Sequence, residues 1–117
     1  MKKEVIGAIL LIILVPSVLA LSMSLNSPSS GNTTNMTSII FSCTATEATH
    51  TISSIVLYMN TSSSSFAAVS TQSNSSTSAN FLVSSLSQGT YIWNCLATNS
   101  NSETASASSN SSLTIST

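Results

Sequence analysis

The sequence has almost no charge. It contains no Arg and no Asp, its only Lys residues are Lys2 and Lys3, and its only carboxylic side chains are those of Glu4, Glu47 and Glu103. Proteins bind nucleic acids by neutralising phosphates with Lys or Arg, and they bind anionic membrane surfaces with the same residues. Beyond its first residues the chain lacks these groups, so we expect neither a nucleic-acid partner nor a membrane partner for the mature protein.

Groups for catalysis and metal binding are equally scarce. His50 is the only His, and Glu47 precedes it in a predicted turn. A hydrolytic triad needs an acid, a base and a nucleophile, and a calcium loop needs clustered Asp residues. A Glu47–His50 metal pair would supply only two ligands, so we interpret it as a solvated loop pair. We therefore expect no enzymatic activity, no cofactor and no metal site.

The N-terminus has the pattern of a secretory leader. A short basic start precedes an apolar run over 5–15, which Pro16 and the small-residue ending VLA follow. This run is too short to span a bilayer. We expect a signal peptide over 1–20, cleaved after Ala20, and one extracellular or cell-surface domain over 21–117. The alternative is an uncleaved anchor helix, although Pro16 would kink it.

The rest of the chain is a series of short strands separated by turns rich in Ser and Asn. Apolar and polar residues alternate with a period of two in LSMSLNS, TSIIFSCTAT, ISSIVLYMN and TYIWNCLAT. ANFLVSSL carries Phe81 and Val83, and FAAVS and the tail supply weaker strands. Six or seven short strands without helical periodicity indicate an all-β, antiparallel sandwich.

The stretch GTYIWNC contains the only Trp and one of the two Cys residues. In a strand its alternate residues point to one side, where the aromatic rings would form much of a small core. The predicted core residues are Tyr91, Trp93, Phe41, Phe81 and Leu86.

Cys43 lies on the matching face of an earlier predicted strand. A disulfide to Cys95 would close a loop of about 50 residues and contribute about 4 kcal/mol. An exported chain meets an oxidising compartment in which this bond can form. Two free buried thiols, or half of a metal site, are the alternatives.

Two stretches resemble immunoglobulin-like and fibronectin type III domains. IIFSCTA is similar to the second immunoglobulin strand, and LSQGTYIWNC resembles the approach to the sixth strand, where Leu, Gly and a corner Tyr precede the second Cys. The third strand lacks the usual Trp, and the spacing from Leu86 to Tyr91 is closer to fibronectin type III. The abundance of Ser, Thr and Asn also resembles archaeal surface proteins and filament subunits. The resemblance implies an immunoglobulin-like or fibronectin type III-like β-sandwich.

Five Asn residues stand in Asn-x-Ser/Thr triplets, the acceptor pattern for N-glycosylation. They are Asn32, Asn35, Asn60, Asn74 and Asn110. All five fall in predicted turns or polar edges, where a bulky glycan can be accommodated. Glycans at these positions would help to keep an almost uncharged chain soluble.

We interpret the chain as a non-enzymatic secreted or cell-surface module for adhesion or binding, with a protein or a glycan as partner. The alternative is a structural subunit of an extracellular filament, whose partners are copies of itself. In that hypothesis the strand 21–27 is donated to the sheet edge of a neighbouring copy, with Leu21, Met23 and Leu25 as the inserted side chains.

Overall fold

The computed structural model describes residues 21–61 and 64–117 of the chain. The predicted signal peptide over 1–20 lies outside the described residues. The described part is all-β. None of its segments is a helix long and apolar enough to cross a membrane.

Nine strands follow one another along the described chain. They are β1 (Leu21–Ser27), β2 (Asn32–Thr34), β3 (Ile39–Glu47), β4 (Ile52–Thr61), β5 (Ser64–Gln72), β6 (Ser78–Val83), β7 (Gly89–Asn99), β8 (Thr104–Ser106) and β9 (Ser111–Ile115). The prediction of six or seven strands is therefore too low. The short β2 and β8 have 3 residues each and no apolar alternation of their own, so only their pairing partners make them strands.

The strands form two sheets. The first has the order β1-β3-β6, and the second has the order β2-β9-β7-β4-β5, with β8 paired to β7 beyond the end of β9. The pairs are antiparallel except β2 with β9, which is parallel. This parallel pair is an exception to the predicted antiparallel arrangement. It arises because the chain leaves the first sheet after β1 and continues as β2 at the edge of the second.

The two sheets enclose one apolar core, an architecture consistent with a β-sandwich. Along β3 the buried residues Phe41, Cys43 and Ala45 alternate with more exposed ones, because successive side chains of a strand point to opposite faces. The residues predicted for the core are all buried: Tyr91, Trp93, Phe41, Phe81 and Leu86.

Trp93 is fully buried between the sheets. Its ring meets that of Phe41 edge to face, with centroids 5.1 Å apart and planes inclined by 71°. The indole Nε1 has no hydrogen-bond partner among the described residues. Packing of the aromatic rings, rather than hydrogen bonding, therefore holds Trp93 in place.

A disulfide between Cys43 and Cys95 links the two sheets through β3 and β7, with a Cα–Cα distance of 6.6 Å. This confirms the predicted disulfide over the two alternatives. Neither Cys is free. The bond lies in the core, where both residues are buried.

A tight corner leads into β7. The Tyr91 hydroxyl donates a hydrogen bond to the main-chain oxygen of Ser87 at 2.7 Å. Gly89, between them, has a φ of 150°, a conformation that a residue with a Cβ atom adopts only under strain. This corner fixes where β7 begins and directs the Tyr91 ring into the core.

Candidate functional site

A groove opens on the outer face of the second sheet, away from the core. Its volume is about 220 Å³. It is lined by Tyr58, Phe66, Asn94, Cys95, Leu96, Ser106 and Asn110. These residues come from β4, β5, β7, β8 and the loop before β9, so only the assembled sheet brings them together.

Tyr58 and Phe66 form one wall of the groove. Their rings stack with centroids 5.9 Å apart and planes inclined by 21°. Tyr58 points outward because its neighbours Leu57 and Met59 occupy the core. Phe66 is 45% exposed on the edge strand β5. The wall therefore offers solvent a flat apolar surface.

Asn94 lies beside Tyr58 in the β4–β7 ladder and holds another part of the groove lining in place. Its Nδ2 donates hydrogen bonds to the main-chain oxygen of Ala107 at 3.1 Å and to Oδ1 of Asn110 at 2.8 Å. Its Oδ1 accepts from the N–H groups of Ala107, at 3.1 Å, and Cys95, at 2.7 Å. At this point β7 exchanges its partner β9 for β8. The Asn94 side chain bridges the interruption and holds the following loop beside the groove.

The first sheet also carries exposed apolar side chains on its outer face. Ile40 and Leu82 stand opposite each other in the β3–β6 ladder, and they are 55% and 65% exposed. The adjacent pair is polar, since the Ser42 hydroxyl donates to Oδ1 of Asn80 at 2.6 Å. Apolar side chains are therefore exposed on the outer faces of both sheets.

The proposed glycosylation residues lie at the surface with one exception. The exposed ones are Asn32, Asn35, Asn74 and Asn110. Asn60 lies instead within β4 and is half-buried, and its Oδ1 accepts a hydrogen bond from the Ile92 N–H at 2.7 Å. The prediction puts Asn60 in a turn or at a polar edge. In the structure it lies in a strand, and its side chain is a hydrogen-bond partner of the main chain.

The segment considered for strand donation lies in the sheet of its own chain. β1 forms an edge of the first sheet and pairs with β3, from Leu21 opposite Glu47 to Ser27 opposite Ser42. Leu21 and Met23 are buried in the core. Leu25 is half-buried and packs against it.

Three ionisable side chains meet where two turns approach each other. Glu47 ends β3, His50 follows in the turn to β4, and Glu103 lies in the turn from β7 to β8. His50 Nδ1 is 3.7 Å from Oε2 of Glu47 and 3.9 Å from Oε1 of Glu103. One potential metal-ligand atom from each residue lies within 4.8 Å of the other two.

Asn99 joins the two carboxylates of this cluster. From its buried position at the end of β7, its Nδ2 donates to Oε1 of Glu47 at 2.7 Å and to Oε1 of Glu103 at 2.8 Å. Its Oδ1 accepts from the N–H groups of Asn101 and Glu103, at 3.0 and 2.9 Å. One amide therefore shapes the turn and orients both carboxylates.

The Glu47 carboxylate is held in its ionised form. The hydrogen bond from Asn99, reinforced by the N–H groups of Thr49 and His50, lowers the pKa of Glu47 to about 2. Desolvation opposes this shift without cancelling it. The Glu47 side chain is only 1% exposed. The prediction of a solvated loop pair is therefore wrong for Glu47, because the turn wraps around its carboxylate.

The sequence places Glu47 close to His50, but it does not indicate that Glu103 and Asn99 lie beside them in the fold. Both lie far along the chain, and strand alternation does not say which turns meet. One signal was available: Glu103 is the only carboxylic residue of 21–117 besides Glu47. Asn94 stands between Trp93 and Cys95, so alternation predicts that it faces outward, and nothing in its neighbours indicates the loop that covers it.

Comparison with known proteins adds no relative, since neither a protein-family model nor a curated protein matches the sequence. The groove and the ionisable cluster are the two features of the described residues that bear on function.

Proposed function

We propose that the chain is a secreted or cell-surface binding module of the immunoglobulin-like type, without enzymatic activity. The observation that carries this proposal is the groove on the outer face of the second sheet, with the exposed aromatic wall of Tyr58 and Phe66. Aromatic side chains with a polar atom at one end are enriched where proteins bind partners.

Three features support the immunoglobulin-like type. The order β1-β3-β6 opposite β9-β7-β4-β5 corresponds to strands A-B-E opposite G-F-C-C′ of a variable-type domain. The disulfide links the strands that correspond to B and F. The Tyr91 hydroxyl bonds back to the main chain of Ser87, as the corner Tyr of such domains does.

Two observations support export. The leader pattern over 1–20 is that of a secretory signal, and an intramolecular disulfide is typical of proteins from oxidising compartments. The exposed Asn residues of the acceptor triplets are then accessible for glycosylation. In this proposal the domain works outside the cell or at its surface.

The chemistry of the groove fits a neutral partner. The residues that line it carry aromatic, aliphatic, hydroxyl and amide groups. Its volume of about 220 Å³ is below the range of about 300–1,000 Å³ that is usual for small-molecule sites. A single protruding group, such as an apolar side chain of a protein or a sugar ring of a glycan, suits this size.

The test measures binding of the labelled domain, residues 21–117, to cells of the source organism. We expect the double variant Tyr58→Ser/Phe66→Ser to bind at least about tenfold more weakly than the wild type. Leu82→Ser is the matched control, because it removes an exposed apolar side chain from the opposite sheet. Pretreating the cells with protease or with periodate distinguishes a protein partner from a glycan. Equal binding by all three proteins, or binding by none, would contradict the proposal.

A structural filament subunit is the second candidate. It is favoured by the position of β1, an edge strand that inserts Leu21 and Met23 into the core. The same strand from a neighbouring copy would make the same contacts, and a chain of such exchanges gives a fibre. Light scattering from the native secreted material separates a monomeric module from a polymerising subunit.

A further inference from the structure

The fold brings the carboxylic and imidazole side chains of the domain together at one place. Within residues 21–117 the carboxylic and imidazole side chains are those of Glu47, His50 and Glu103, and all three meet within 4.8 Å. They come from two turns that connect different pairs of strands.

The domain has no Lys or Arg side chain to neutralise the cluster. Glu47 and Glu103 approach closely enough to accept hydrogen bonds from the same Asn99 amide group, which is neutral. Two carboxylates at this separation repel each other. Residues 21–117 contain no Lys or Arg that would offset the repulsion. The arrangement therefore favours the binding of a cation at the two carboxylates.

The donor set and its spacing suit a transition metal. Two ligand atoms about 2.1 Å from a tetrahedral ion lie about 3.4 Å apart. The distances from His50 Nδ1 to the two carboxylates, 3.7 and 3.9 Å, exceed this by a few tenths of an ångström. The His50 and Glu103 side chains are 36% and 53% exposed, so both have room to rotate inward.

We propose that Glu47, His50 and Glu103 form a binding site for a divalent transition-metal ion of the Zn²⁺ type. An imidazole ligand favours such an ion over Mg²⁺ or Ca²⁺, which prefer oxygen ligands alone. Water completes the coordination on the exposed side. The Thr49 hydroxyl, 3.0 Å from His50 Nδ1, turns to Oε2 of Glu47 when the ion takes that nitrogen.

Asn99 is the positioning residue of this site. It holds both carboxylates through its Nδ2, and outer hydrogen bonds of this kind orient metal ligands. The metal ion connects the turn after β3, in the first sheet, to the turn after β7, in the second. It is therefore a second link between the sheets besides the disulfide. Its role is structural and independent of the groove.

The first test is thermal unfolding of the untagged domain in metal-free buffer at pH 7.5, with and without 100 µM Zn²⁺. We expect Zn²⁺ to raise the Tm of the wild type by at least about 5 °C, with no such rise from Mg²⁺ or Ca²⁺. His50→Gln and Glu103→Gln should lose the shift. Asn101→Ala, an exposed residue in the same turn as Glu103, is the control and should keep it.

The second test needs no variant. Because His50 is the only His, the imidazole C–H signals of the protein in an NMR spectrum belong to it alone. Zn²⁺ should move these signals at constant pH and saturate at one ion per chain. Unmoved imidazole signals together with an unchanged Tm would overturn the proposal.

Discussion

Side-chain amides complete the sheets at points where the main-chain ladders are interrupted. Asn94 bridges the place where β7 changes its partner, and Asn60 supplies an acceptor to the Ile92 N–H just beyond the end of the β4–β7 ladder at Met59. An amide both donates and accepts, so it can satisfy main-chain groups of either kind without adding charge.

Replacement of Asn94 tests this role. Asn94→Ala removes four hydrogen bonds and leaves the N–H and the oxygen of Ala107 without their side-chain partner. We expect the free energy of unfolding to fall by about 2–4 kcal/mol, since an unsatisfied buried group costs about 1–3 kcal/mol. Asn101→Ala should change it by less than about 0.5 kcal/mol. Denaturant titration measures both, and equal losses would contradict the assigned role.

Glu47 should control the acid stability of the domain. Its pKa is lowered from 4.5 to about 2 on folding, so on acidification the unfolded chain takes up this proton before the folded one. The contribution of Glu47 is therefore complete above about pH 4.5 and is lost as the pH falls towards 2.

We expect the Tm of the wild type, measured by circular dichroism in the presence of a chelator, to fall over this interval. Glu47→Gln should have a lower Tm at pH 7 and a weaker dependence on acid. Parallel curves for the two proteins would show that the Glu47 hydrogen bonds do not contribute.

The limits of sequence reasoning at this scale are visible in Asn94 and Trp93. Alternation correctly puts Trp93 in the core, because a strand has two faces and the apolar one is buried. The same alternation puts Asn94 at the surface, yet it is buried because the loop from β8 to β9 closes over it. Alternation tells which side of the sheet a side chain points to, but it does not tell whether another part of the chain covers that side.

At the level of strands, the predictions succeed where a strand carries its own apolar face. β3, β4 and β7 alternate strongly, and their inward residues are those that alternation indicates. β2 and β8 have no such face, and they exist because β9 and β7 offer open ladder positions. The groove could not be foreseen for a related reason, since its lining comes from strands that the sequence does not order in space.

The disulfide should contribute much of the stability between the two sheets. Cys43 and Cys95 are separated by 52 residues, and the loss of such a link destabilises a domain by about 4 kcal/mol. For a domain of this size we expect Cys43→Ala/Cys95→Ala to lower the Tm by more than about 15 °C. The unfolded, unreduced wild type should react with no thiol reagent. Two labelled thiols per chain would contradict the assignment.

For the molecule as a whole, low charge means that exposed apolar residues have a large influence on contacts between copies. With a formal net charge of only −1 at pH 7, little electrostatic repulsion keeps copies apart. Ile40 and Leu82 are exposed on one sheet, and Phe66 with Val69 on the edge strand of the other. Contacts between opposite faces of two copies generate open chains rather than closed pairs. Hydroxyl and amide groups are therefore the polar groups that compete with such contacts at the surface.

Deletion of 21–27 distinguishes a self-contained module from a strand-donating subunit. In a monomer, β1 covers the edge of β3 and fills the core with Leu21 and Met23. Burial of two such side chains contributes about 3–6 kcal/mol. This is a large part of the free energy of unfolding of a typical domain, which is about 5–15 kcal/mol.

We expect the intact domain to be monomeric by light scattering, the deleted form to unfold at a lower temperature, and the synthetic peptide LSMSLNS to restore the Tm in a concentration-dependent way. Electron microscopy of the native material provides the opposing outcome. Filaments that form from the intact protein and disappear on deletion, with the domain still folded, would establish strand donation and displace the monomeric module. Restoration by the peptide without filaments would show that the edge of β3 accepts the strand, but that each chain keeps its own.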